Sequence, residues 1–459
     1  MEYRDKRLLV VGSGISGISA AGLLSRKGAH VYLFDSNEKL KAEDIRKKLG
    51  DTENVDILIG GIPQDIRGEL DGAVLSPGVP VDSPLVVSLK DEGITIIGEI
   101  ELAYSVSGGG LIAITGTNGK TTTTSLVGEI CRNYCASTKG EAYVVGNIGS
   151  PYADIADKTT DDCITVAEIS SFQLETIDTF APRISAILNI TPDHLNRHKT
   201  MENYVKIKER IAENQTEDDT LVLNYDDPYT RDFGKRAKTR VIYFTREDEY
   251  ASDEKVADIV HLSGDIIMYN DIPVIGIHEM QLLGTHNQEN VMAAIAMTYA
   301  YGIPMDIIRD TIRSFKAVEH RIEYVRTVRG VDYYNDSKGT NPDAAIKGIL
   351  AMVKKTILIG GGYDKQSEYD EWIEAFGDKV RYLILMGETA GKIADCAKAH
   401  GFTDIIMVSS MEEAVSKAYE LSKPDEAVLL SPACASWDMF KSYEERGRIF
   451  KELVKELEE

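Results

Sequence analysis

A glycine-rich turn between a strand and a helix is the first candidate for chemistry. The apolar run Leu111–Thr115 leads into Gly116–Thr121 (GTNGKT), and the pattern predicts a helix over Lys120–Cys131. Backbone amides in such a turn wrap phosphate groups, the lysine adds positive charge, and the final threonine can bind Mg²⁺. The first glycine of the usual loop is replaced by Ile114. We interpret the turn as a nucleotide-phosphate site, with a tight turn that binds no ligand as the alternative.

Two possible metal ligands stand at or just after the ends of other predicted strands. Glu168 ends the strand 163–168, and His194 follows the strand 184–189. Because the carboxyl ends of parallel strands meet at one edge of a sheet, we expect both side chains near Lys120. A carboxylate in that place is a typical Mg²⁺ ligand. The alternatives are a helix-capping region formed by the two serines after Glu168, and a structural histidine.

The N-terminal segment contains a second glycine-rich turn. Gly12, Gly14 and Gly17 follow the predicted strand 7–11, and Asp35 ends the next strand. This spacing is typical of turns that bind the diphosphate of a dinucleotide, with the acidic side chain on the ribose. Taken alone, it indicates an NAD-dependent oxidoreductase. The same turn can hold any nucleotide diphosphate, and a glycine turn with a purely structural role is a further alternative.

Several polar segments in the second half of the chain have the composition of ligand-binding turns. They are GTHNQEN (284–290), His320-Arg321, NDSKGTNP (335–342), GGGYDK (360–365) and LSPACASWDMF (430–440). Amide and hydroxyl groups at helix starts can bind base, ribose or carboxylate groups, but they also serve as helix caps. Arg321 suits a phosphate clamp or an interdomain salt bridge. Cys434 lacks a neighbouring His–Asp pattern, so we do not expect a nucleophile there.

The elements that position these turns alternate between strand and helix, which predicts parallel α/β sheets. We expect three domains: a Rossmann-like domain over 1–98, a central P-loop ATPase-type domain over 99–317, and a C-terminal Rossmann-like domain over 318–459. The charged stretch 215–275 predicts a peripheral sheet on the central domain. The chain closes with a predicted amphipathic helix, whose apolar face comprises Ile449, Phe450, Leu453, Val454 and Leu457.

Composition excludes several classes of function. The 459 residues carry a formal net charge of −23, and a broad nucleic-acid surface needs clustered Lys and Arg, so we expect no nucleic-acid partner. The five scattered cysteines predict reduced thiols. No apolar run approaches the ~20 residues of a membrane span, and the first apolar run predicts a strand instead of a signal peptide. These features predict a cytoplasmic protein.

Together the motifs resemble the Mur ligases, which build the peptidoglycan precursors needed for the bacterial cell wall, cell shape and cell division. The resemblance extends over nearly the whole chain in the same order: GSGISG, SPG, GTNGKTT, NIG, EISSFQLE, NITPDHLNRH, GTHNQEN, EHR, NDSKGTN, GGGYDK and SPACASWDMF. The shorter phosphate loop is usual in this family. NDSKGTN and SPACAS are similar to the corresponding segments of the members that add D-glutamate.

The resemblance implies an ATP site with two Mg²⁺ ions. Lys120 and Thr121 would hold the phosphates and the first ion with Glu168, and His194 would bind the second ion. Lys208 matches the family lysine that becomes carbamylated and then acts as an anionic metal ligand, although Lys206 is two residues away and an unmodified lysine is the alternative. The other implied ATP contacts are Gly116, Thr117, Asn118, Gly119, Thr122, Asn287, Asn290, Arg321 and Asp336.

The resemblance also implies two substrate sites. A uridine nucleotide would lie on the first domain, against Ile15, Ser16, Asp35, Ser36 and Gly78, with Asn147 toward its diphosphate or sugar. D-Glutamate would contact Lys338, Thr340, Lys365, Ser436 and Tyr443. Tyr443 stands where the family has phenylalanine, a mild change since that contact would be mainly through the backbone.

The implied reaction joins D-glutamate to UDP-N-acetylmuramoyl-L-alanine. The substrate carboxylate attacks the γ-phosphate of ATP, and the amine then displaces phosphate from the acyl phosphate. A folate-type polyglutamate ligase shares the ATP core but should lack the N-terminal glycine-turn domain. An NAD-dependent oxidoreductase leaves Glu168 and His194 without a role, and a non-catalytic nucleotide sensor does not need the metal ligands. We expect a monomer, and the choice of the D-isomer rests on the resemblance alone.

Overall fold

Three β-sheets with flanking helices build the chain, and the computed structural model describes residues 3–50, 52–247, 256–316 and 319–458. Residues Met1–Ile277 and Glu289–Arg313 form one compact unit, and His278–Gln288 and Ser314–Glu459 form a second. The first unit contains two of the sheets and the second unit contains the third, which gives three α/β domains. The predicted boundary between residues 317 and 318 lies outside the described residues, so the domain limits stay predictions.

The N-terminal sheet is parallel throughout, with strand order β3-β2-β1-β4-β5. Its strands are β1 (Arg7–Val11), β2 (His30–Asp35), β3 (Val55–Ile59), β4 (Gly72–Leu75) and β5 (Ile96–Gly98). Its helices are α1 (Ile15–Arg26), α2 (Ala42–Leu49), α3 (Gln64–Arg67), α4 (Pro84–Asp91) and α5 (Glu99–Tyr104). The two strands predicted around the glycine-rich turn, 7–11 and the strand that ends at Asp35, are confirmed. The strand order reverses between β1 and β4, where ligands of parallel sheets typically bind.

The central sheet has nine strands in the order β14-β13-β12-β11-β10-β9-β6-β8-β7. The strands are β6 (Gly110–Thr115), β7 (Glu141–Gly146), β8 (Cys163–Glu168), β9 (Ile184–Ile187), β10 (Thr220–Asn224), β11 (Arg240–Thr245), β12 (Ile259–Ser263), β13 (Ile266–Tyr269) and β14 (Ile272–Gly276). The expected peripheral sheet is therefore wrong. Strand β10 pairs in parallel with β9, so the later strands continue the central sheet, and only β13 and β14 run antiparallel to their neighbours.

The helices that follow these strands include two surprises. They are α6 (Lys120–Thr138), α7 (Ser171–Leu174), α8 (Leu195–His198), α9 (Met201–Glu209), α10 (Pro228–Gly234), α11 (Thr285–Tyr301) and α12 (Met305–Ser314). Short 3₁₀ turns occupy Tyr152–Asp154, Ala156–Lys158, Arg210–Ala212 and Ile277–Glu279. Helix α6 runs two turns past its predicted end at Cys131, and α12 was not predicted.

The C-terminal sheet has the order β15-β16-β20-β17-β18-β19. Its strands are β15 (Glu323–Val328), β16 (Val331–Asn335), β17 (Thr356–Gly360), β18 (Val380–Leu385), β19 (Ile405–Met407) and β20 (Ala427–Leu430). Its helices are α13 (Pro342–Ala351), α14 (Asp370–Glu374), α15 (Ala390–Ala399), α16 (Met411–Leu421) and α17 (Tyr443–Glu456). The unpredicted β15 is antiparallel to β16, so this sheet is mixed where a Rossmann-like parallel sheet was expected.

The structure confirms two further expectations, the apolar face of the last helix and the reduced cysteines. On α17, Phe450 and Val454 are fully buried, and Ile449, Leu453 and Leu457 pack against the same core. All five cysteines are free thiols. In the described part of the chain, no helix is both long and apolar enough to span a bilayer.

Candidate active site

The predicted phosphate loop lies between β6 and α6 in the conformation that its glycines allow. Gly119 precedes the helix with φ +84°, and a Cβ atom there would lie 2.3 Å from Oδ1 of Asn290, so only glycine fits. The Lys120 amino group donates to the carbonyl oxygens of Gly116 and Thr117, both at 2.8 Å. The lysine charge therefore lies over the loop, where a phosphate-binding loop needs it.

A second segment holds this loop in place. The Thr117 amide donates to the Asn189 carbonyl at 2.9 Å, and the Asn118 amide donates to Oδ1 of Asn189 at 2.8 Å. The Thr191 amide donates to Oγ1 of Thr117 at 3.0 Å. Asn189 and Thr191 belong to the NITPDH motif, in which sequence reasoning singled out only the histidine. The missed signal is the amide side chain of Asn189, two residues after the end of β9.

Glu168 ends β8 next to the phosphate loop, since β8 pairs in register with β6. The carboxylate is buried; its Oε1 accepts a 2.7 Å hydrogen bond from Nδ2 of Asn147, and its Oε2 has no partner among the described residues. A buried carboxylate oxygen without a donor is costly unless a cation binds it. Glu168 therefore fits a Mg²⁺ ligand. Thr121 lies in the first turn of α6, and its role as a second oxygen ligand stays a prediction. Ser170 caps α7, so the helix-capping region that we gave as an alternative after Glu168 is also present.

Lys208 on α9 lies fully buried against the phosphate loop. Its Nζ donates to the Gly116 carbonyl at 2.8 Å and lies 4.8 Å from the centre of the Tyr204 ring. Burial, followed by the charge of Lys120, lowers the pKa of Lys208 well below its ordinary value. A neutral amine is the form that reacts with CO₂. Lys206 is exposed and pairs with Glu202 at 2.6 Å, so the structure places Lys208, and not Lys206, at the loop.

His194 lies at the start of α8 in a left-handed conformation, φ +52°, with its side chain half exposed. Its ring packs 5.0 Å from Phe172, and its Nε2 lies 3.4 Å from Oδ2 of Asp193. An accessible imidazole fits a ligand to a bound ion. His198, which sequence reasoning did not assign, is buried instead, and its Nε2 shares a 2.9 Å hydrogen bond with Oγ of Ser171.

A cavity of about 510 Å³ opens at the switch point of the N-terminal sheet and reaches the end of β7. It brings together five of the six residues predicted for the uridine nucleotide: Ile15, Ser16, Asp35, Gly78 and Asn147. Ser36 is exposed and does not line the cavity. Ile15 is 77% exposed, which leaves an apolar side chain available to a base.

The Asp35 carboxylate is largely occupied by the protein itself. Oδ2 accepts hydrogen bonds from the amide and the hydroxyl of Ser13, at 2.9 and 2.6 Å, and Oδ1 accepts one from the Asn37 amide. Burial works to raise the pKa of Asp35, but these hydrogen bonds outweigh it and the pKa is lowered. The aspartate therefore shapes the glycine turn, whereas its contact with ribose stays a prediction.

Asp336 and Arg321 form the polar centre of the second unit. Oδ2 of Asp336 accepts a 2.7 Å hydrogen bond from the Ser431 hydroxyl, and burial raises the pKa of Asp336 to about 6, against the charge of Arg321. Nε of Arg321 is buried and makes no hydrogen bond within the described chain. An arginine with an unused donor fits an anionic ligand such as phosphate.

The two asparagines predicted for ATP are both buried and engaged with the protein. Nδ2 of Asn287 donates to the Leu283 carbonyl at 2.7 Å, and Oδ1 of Asn290 accepts from the Thr123 hydroxyl at 3.2 Å. Thr122 is buried in the first turn of α6. These contacts position α6 and α11, and the contribution of the three side chains to ATP binding stays a prediction.

Arg446, which sequence reasoning missed, joins two of the predicted amino-acid-binding turns. It is fully buried on α17 and donates to Oγ and the carbonyl of Ser337, at 2.9 and 2.8 Å. It also donates to the carbonyls of Cys434 and Ala435, at 3.1 and 3.3 Å. Burial lowers the pKa of Arg446 to about 10, which leaves it charged at neutral pH. One guanidinium therefore fixes the NDSKG turn against the SPACAS turn.

The side chains predicted to hold D-glutamate lie on the turns around this arginine. Lys338 Nζ is 5.8 Å from the centre of the Tyr443 ring, and Lys365 Nζ is 5.1 Å from that of Trp437. Ser436 is buried, and Thr340 is half-buried. Two ammonium groups on these turns suit a dicarboxylate.

The Cys434 thiol, which belongs to the SPACAS turn, makes hydrogen bonds with the hydroxyl groups of Tyr369 and Thr389. Burial raises the pKa of the thiol, the opposite of what a nucleophile needs. The geometry therefore agrees with the expectation that Cys434 is not a nucleophile.

Comparison with protein families covers most of the chain. Residues 6–98 match the family described as "Mur ligase MurD-like, N-terminal domain", residues 114–298 match "Mur ligase middle domain", and residues 320–434 match "Mur ligase, glutamate ligase domain". The chain is 55% identical over 461 residues to UDP-N-acetylmuramoylalanine–D-glutamate ligase of Lachnospira eligens and 47% identical over 461 residues to that of Clostridioides difficile, with 100% of each chain covered.

Solved structures show the same fold at low sequence identity. UDP-N-acetylmuramate-alanine ligase from Thermotoga maritima has a TM-score of 0.60 at 17% identity and covers 98% of this chain and 99% of its own. MurF ligase from the same organism, in complex with ADP, has a TM-score of 0.58 at 17% identity, and the match covers 99% of this chain and 96% of the MurF chain.

Proposed function

Because the chain belongs to the Mur ligase family, we propose that it adds D-glutamate to UDP-N-acetylmuramoyl-L-alanine at the expense of ATP, in peptidoglycan precursor synthesis. The observation that carries the proposal is the position of Lys120, Glu168 and Lys208 around one phosphate loop. Full-length relatives named as this ligase support the choice of substrates. The protein acts as a cytoplasmic monomer with domains over 1–98, 99–317 and 318–459.

In the first step, the loop amides and Lys120 bind the ATP phosphates and neutralise the charge that gathers on the transferred group. Thr121 and Glu168 would hold one Mg²⁺, and His194 and carbamylated Lys208 would hold a second. Bound Mg²⁺ supplies further neutralisation of the phosphate oxygens. The partnerless Oε2 of Glu168 supports this assignment.

The uridine nucleotide occupies the cavity at Ile15, Ser16, Asp35, Gly78 and Asn147, so that its peptide carboxylate attacks the γ-phosphate. Ser36 lies outside the cavity lining and is the least supported of these assignments. Gly116–Thr122, Asn287, Asn290, Arg321 and Asp336 bind ATP, Arg321 through the donor that the protein leaves unused. The NDSKG, GGGYDK and SPACAS turns bind D-glutamate through Lys338, Thr340, Lys365, Ser436 and Tyr443, and its amine displaces phosphate.

Phosphate release from ATP and Mg²⁺ tests the proposal. With UDP-N-acetylmuramoyl-L-alanine present, release should require D-glutamate and should be absent with L-glutamate or without an amino acid. Release that instead requires a folate substrate and L-glutamate would favour the polyglutamate ligase. Lack of release with any of these sets would contradict both ligase assignments.

A further inference from the structure

A cluster of four potential metal-binding side chains lies on α14 and α15, among residues that the proposed reaction does not use. Cys396 and His400 are four residues apart at the end of α15, and Asp370 and Glu374 are four apart on α14. Side chains four positions apart share one face of a helix, so each helix presents a pair of ligands.

The two pairs meet at short distances. Ligand atoms of Asp370, Cys396 and His400 all lie within 4.8 Å of one another. Nε2 of His400 is 2.9 Å from Oδ1 of Asp370, and its Nδ1 is 3.8 Å from Oε1 of Glu374. A thiol, an imidazole and a carboxylate therefore converge on one point, and a second carboxylate faces the far side of the ring.

We propose that Asp370, Cys396 and His400 bind a divalent transition-metal cation of the zinc type. Thiolate and imidazole ligands select such ions over Mg²⁺ or Ca²⁺, which prefer oxygen. Three protein ligands leave the fourth tetrahedral position to water. Oε1 of Glu374 lies 3.8 Å from the other ring nitrogen of His400, on the side where carboxylates orient metal-binding histidines. When the ion binds, the Cys396 thiol releases its proton to solvent and ligates as the thiolate.

The charge around the cluster distinguishes it from an ordinary surface ion pair. In the described ion pairs, Asp370 and Glu374 contact His400 and no lysine or arginine. A second cluster of this kind, around Glu319 and Glu323, already contains a cation, because Lys451 lies 2.6 and 2.8 Å from those carboxylates.

The location of the site indicates what the ion does. Helix α14 comes shortly after the GGGYDK turn, whose Lys365 is a proposed contact of the amino-acid substrate. An ion bound between Asp370 and α15 ties the start of α14 to a longer helix and so restrains the segment that leads from this turn.

Titration of the full-length protein with Co²⁺ in the presence of excess Mg²⁺ tests the site, since thiolate-bound Co²⁺ gives a near-ultraviolet charge-transfer band. In the wild type, we expect the charge-transfer band to saturate at one Co²⁺ per chain and to disappear when Zn²⁺ displaces the Co²⁺. The band should be absent in both C396S and H400Q. Glu374→Gln should weaken Co²⁺ binding by about tenfold. The matched control is His30→Gln, because His30 pairs with Asp56 at 3.0 Å as His400 pairs with Asp370, and its band should equal that of the wild type.

Two results would overturn the proposal: no charge-transfer band in the wild type, or a band that persists in C396S or H400Q. Because the side chains of the cluster lie at the surface or only partly buried, these variants should fold, and circular dichroism checks that they do. The readout does not depend on ligase activity, so it stands or falls separately from the proposed function.

Discussion

Nδ2 of Asn147 donates a 2.7 Å hydrogen bond to Oε1 of Glu168, and the Asn147 amide donates to the Glu168 carbonyl at 2.8 Å. Asn147 also lines the cavity proposed for the uridine nucleotide. One residue of the substrate cavity therefore orients the carboxylate proposed to hold Mg²⁺. We therefore expect metal affinity and substrate position to be linked through this contact.

Replacement of Asn147 by alanine should raise the Mg²⁺ concentration that the reaction needs. The variant frees Glu168 to rotate, and loss of such a supporting contact typically costs about 10- to 100-fold in metal affinity. The Mg²⁺ concentration that gives half-maximal phosphate release measures the effect. Ser150→Ala, an exposed residue on the same loop, is the control and should match the wild type. An unchanged Mg²⁺ requirement in N147A would mean that the hydrogen bond does not position Glu168 for the metal.

Carbamylation of Lys208 should be detectable by NMR and necessary for phosphate release. Burial lowers the pKa of Lys208 well below its ordinary value and so favours the neutral amine that reacts with CO₂, and ¹³C-bicarbonate should give a carbamate signal in the NMR spectrum of the wild type. Lys208→Arg cannot form the carbamate and should lose both the signal and nearly all phosphate release. Lys206→Arg, two residues away and exposed, should keep both. Full activity in K208R would rule out a role for the carbamate.

The chemistry at strand ends could be predicted from the sequence because its signals are local. Gly116–Thr121 follows an apolar run directly, and Glu168 ends a strand that reads as buried along its whole length. Parallel pairing then places both at one edge of the sheet. Lys208 was assigned only through the resemblance to the Mur ligases, because no local sequence pattern indicates that this lysine is buried.

Contacts between distant segments could not be predicted. Arg446 and Ser337 are 109 positions apart, and an arginine in an amphipathic helix normally reads as a solvent-facing residue. Strand β15 was missed because it is an edge strand with alternating polar residues, and the sheet of 215–275 was misplaced because charge content does not reveal which neighbour a strand pairs with.

Arg446→Lys should damage the amino-acid site and the stability together. Lysine has three donors on one nitrogen and cannot reach Ser337 and both carbonyls of Cys434 and Ala435. Each buried carbonyl left without a donor costs about 1–3 kcal/mol. We expect a lower unfolding temperature and a raised KM for D-glutamate, with KM for the uridine nucleotide nearly unchanged. Arg448→Lys, exposed two residues further along α17, is the control. Equal changes in both KM values would argue against a specific effect on the turns.

Glu99 should make the protein less stable as the pH rises. Its carboxylate is buried at the start of α5, with Oε1 accepting a 2.7 Å hydrogen bond from the Ala153 amide and Oε2 lacking a partner in the described residues. Burial raises its pKa from 4.5 to about 7. The stabilisation from the protonated carboxyl is therefore complete below pH 4.5 and is lost as the pH rises through about 7.

Glu99→Gln should remove this pH dependence. Glutamine keeps an acceptor for the Ala153 amide and carries no charge, so E99Q should exceed the wild type at pH 8 by up to about 3 kcal/mol in unfolding free energy. The two proteins should converge below pH 4.5, and urea denaturation at both pH values measures the difference. Glu101 on the same helix is the matched control, because its two oxygens accept the amides of Asp178, Thr179 and Phe180. E101Q turns an NH₂ group toward one of those donors and should therefore destabilise the protein at pH 8. A gain in stability from E101Q, or none from E99Q, would contradict the assignment of the buried charge to Glu99.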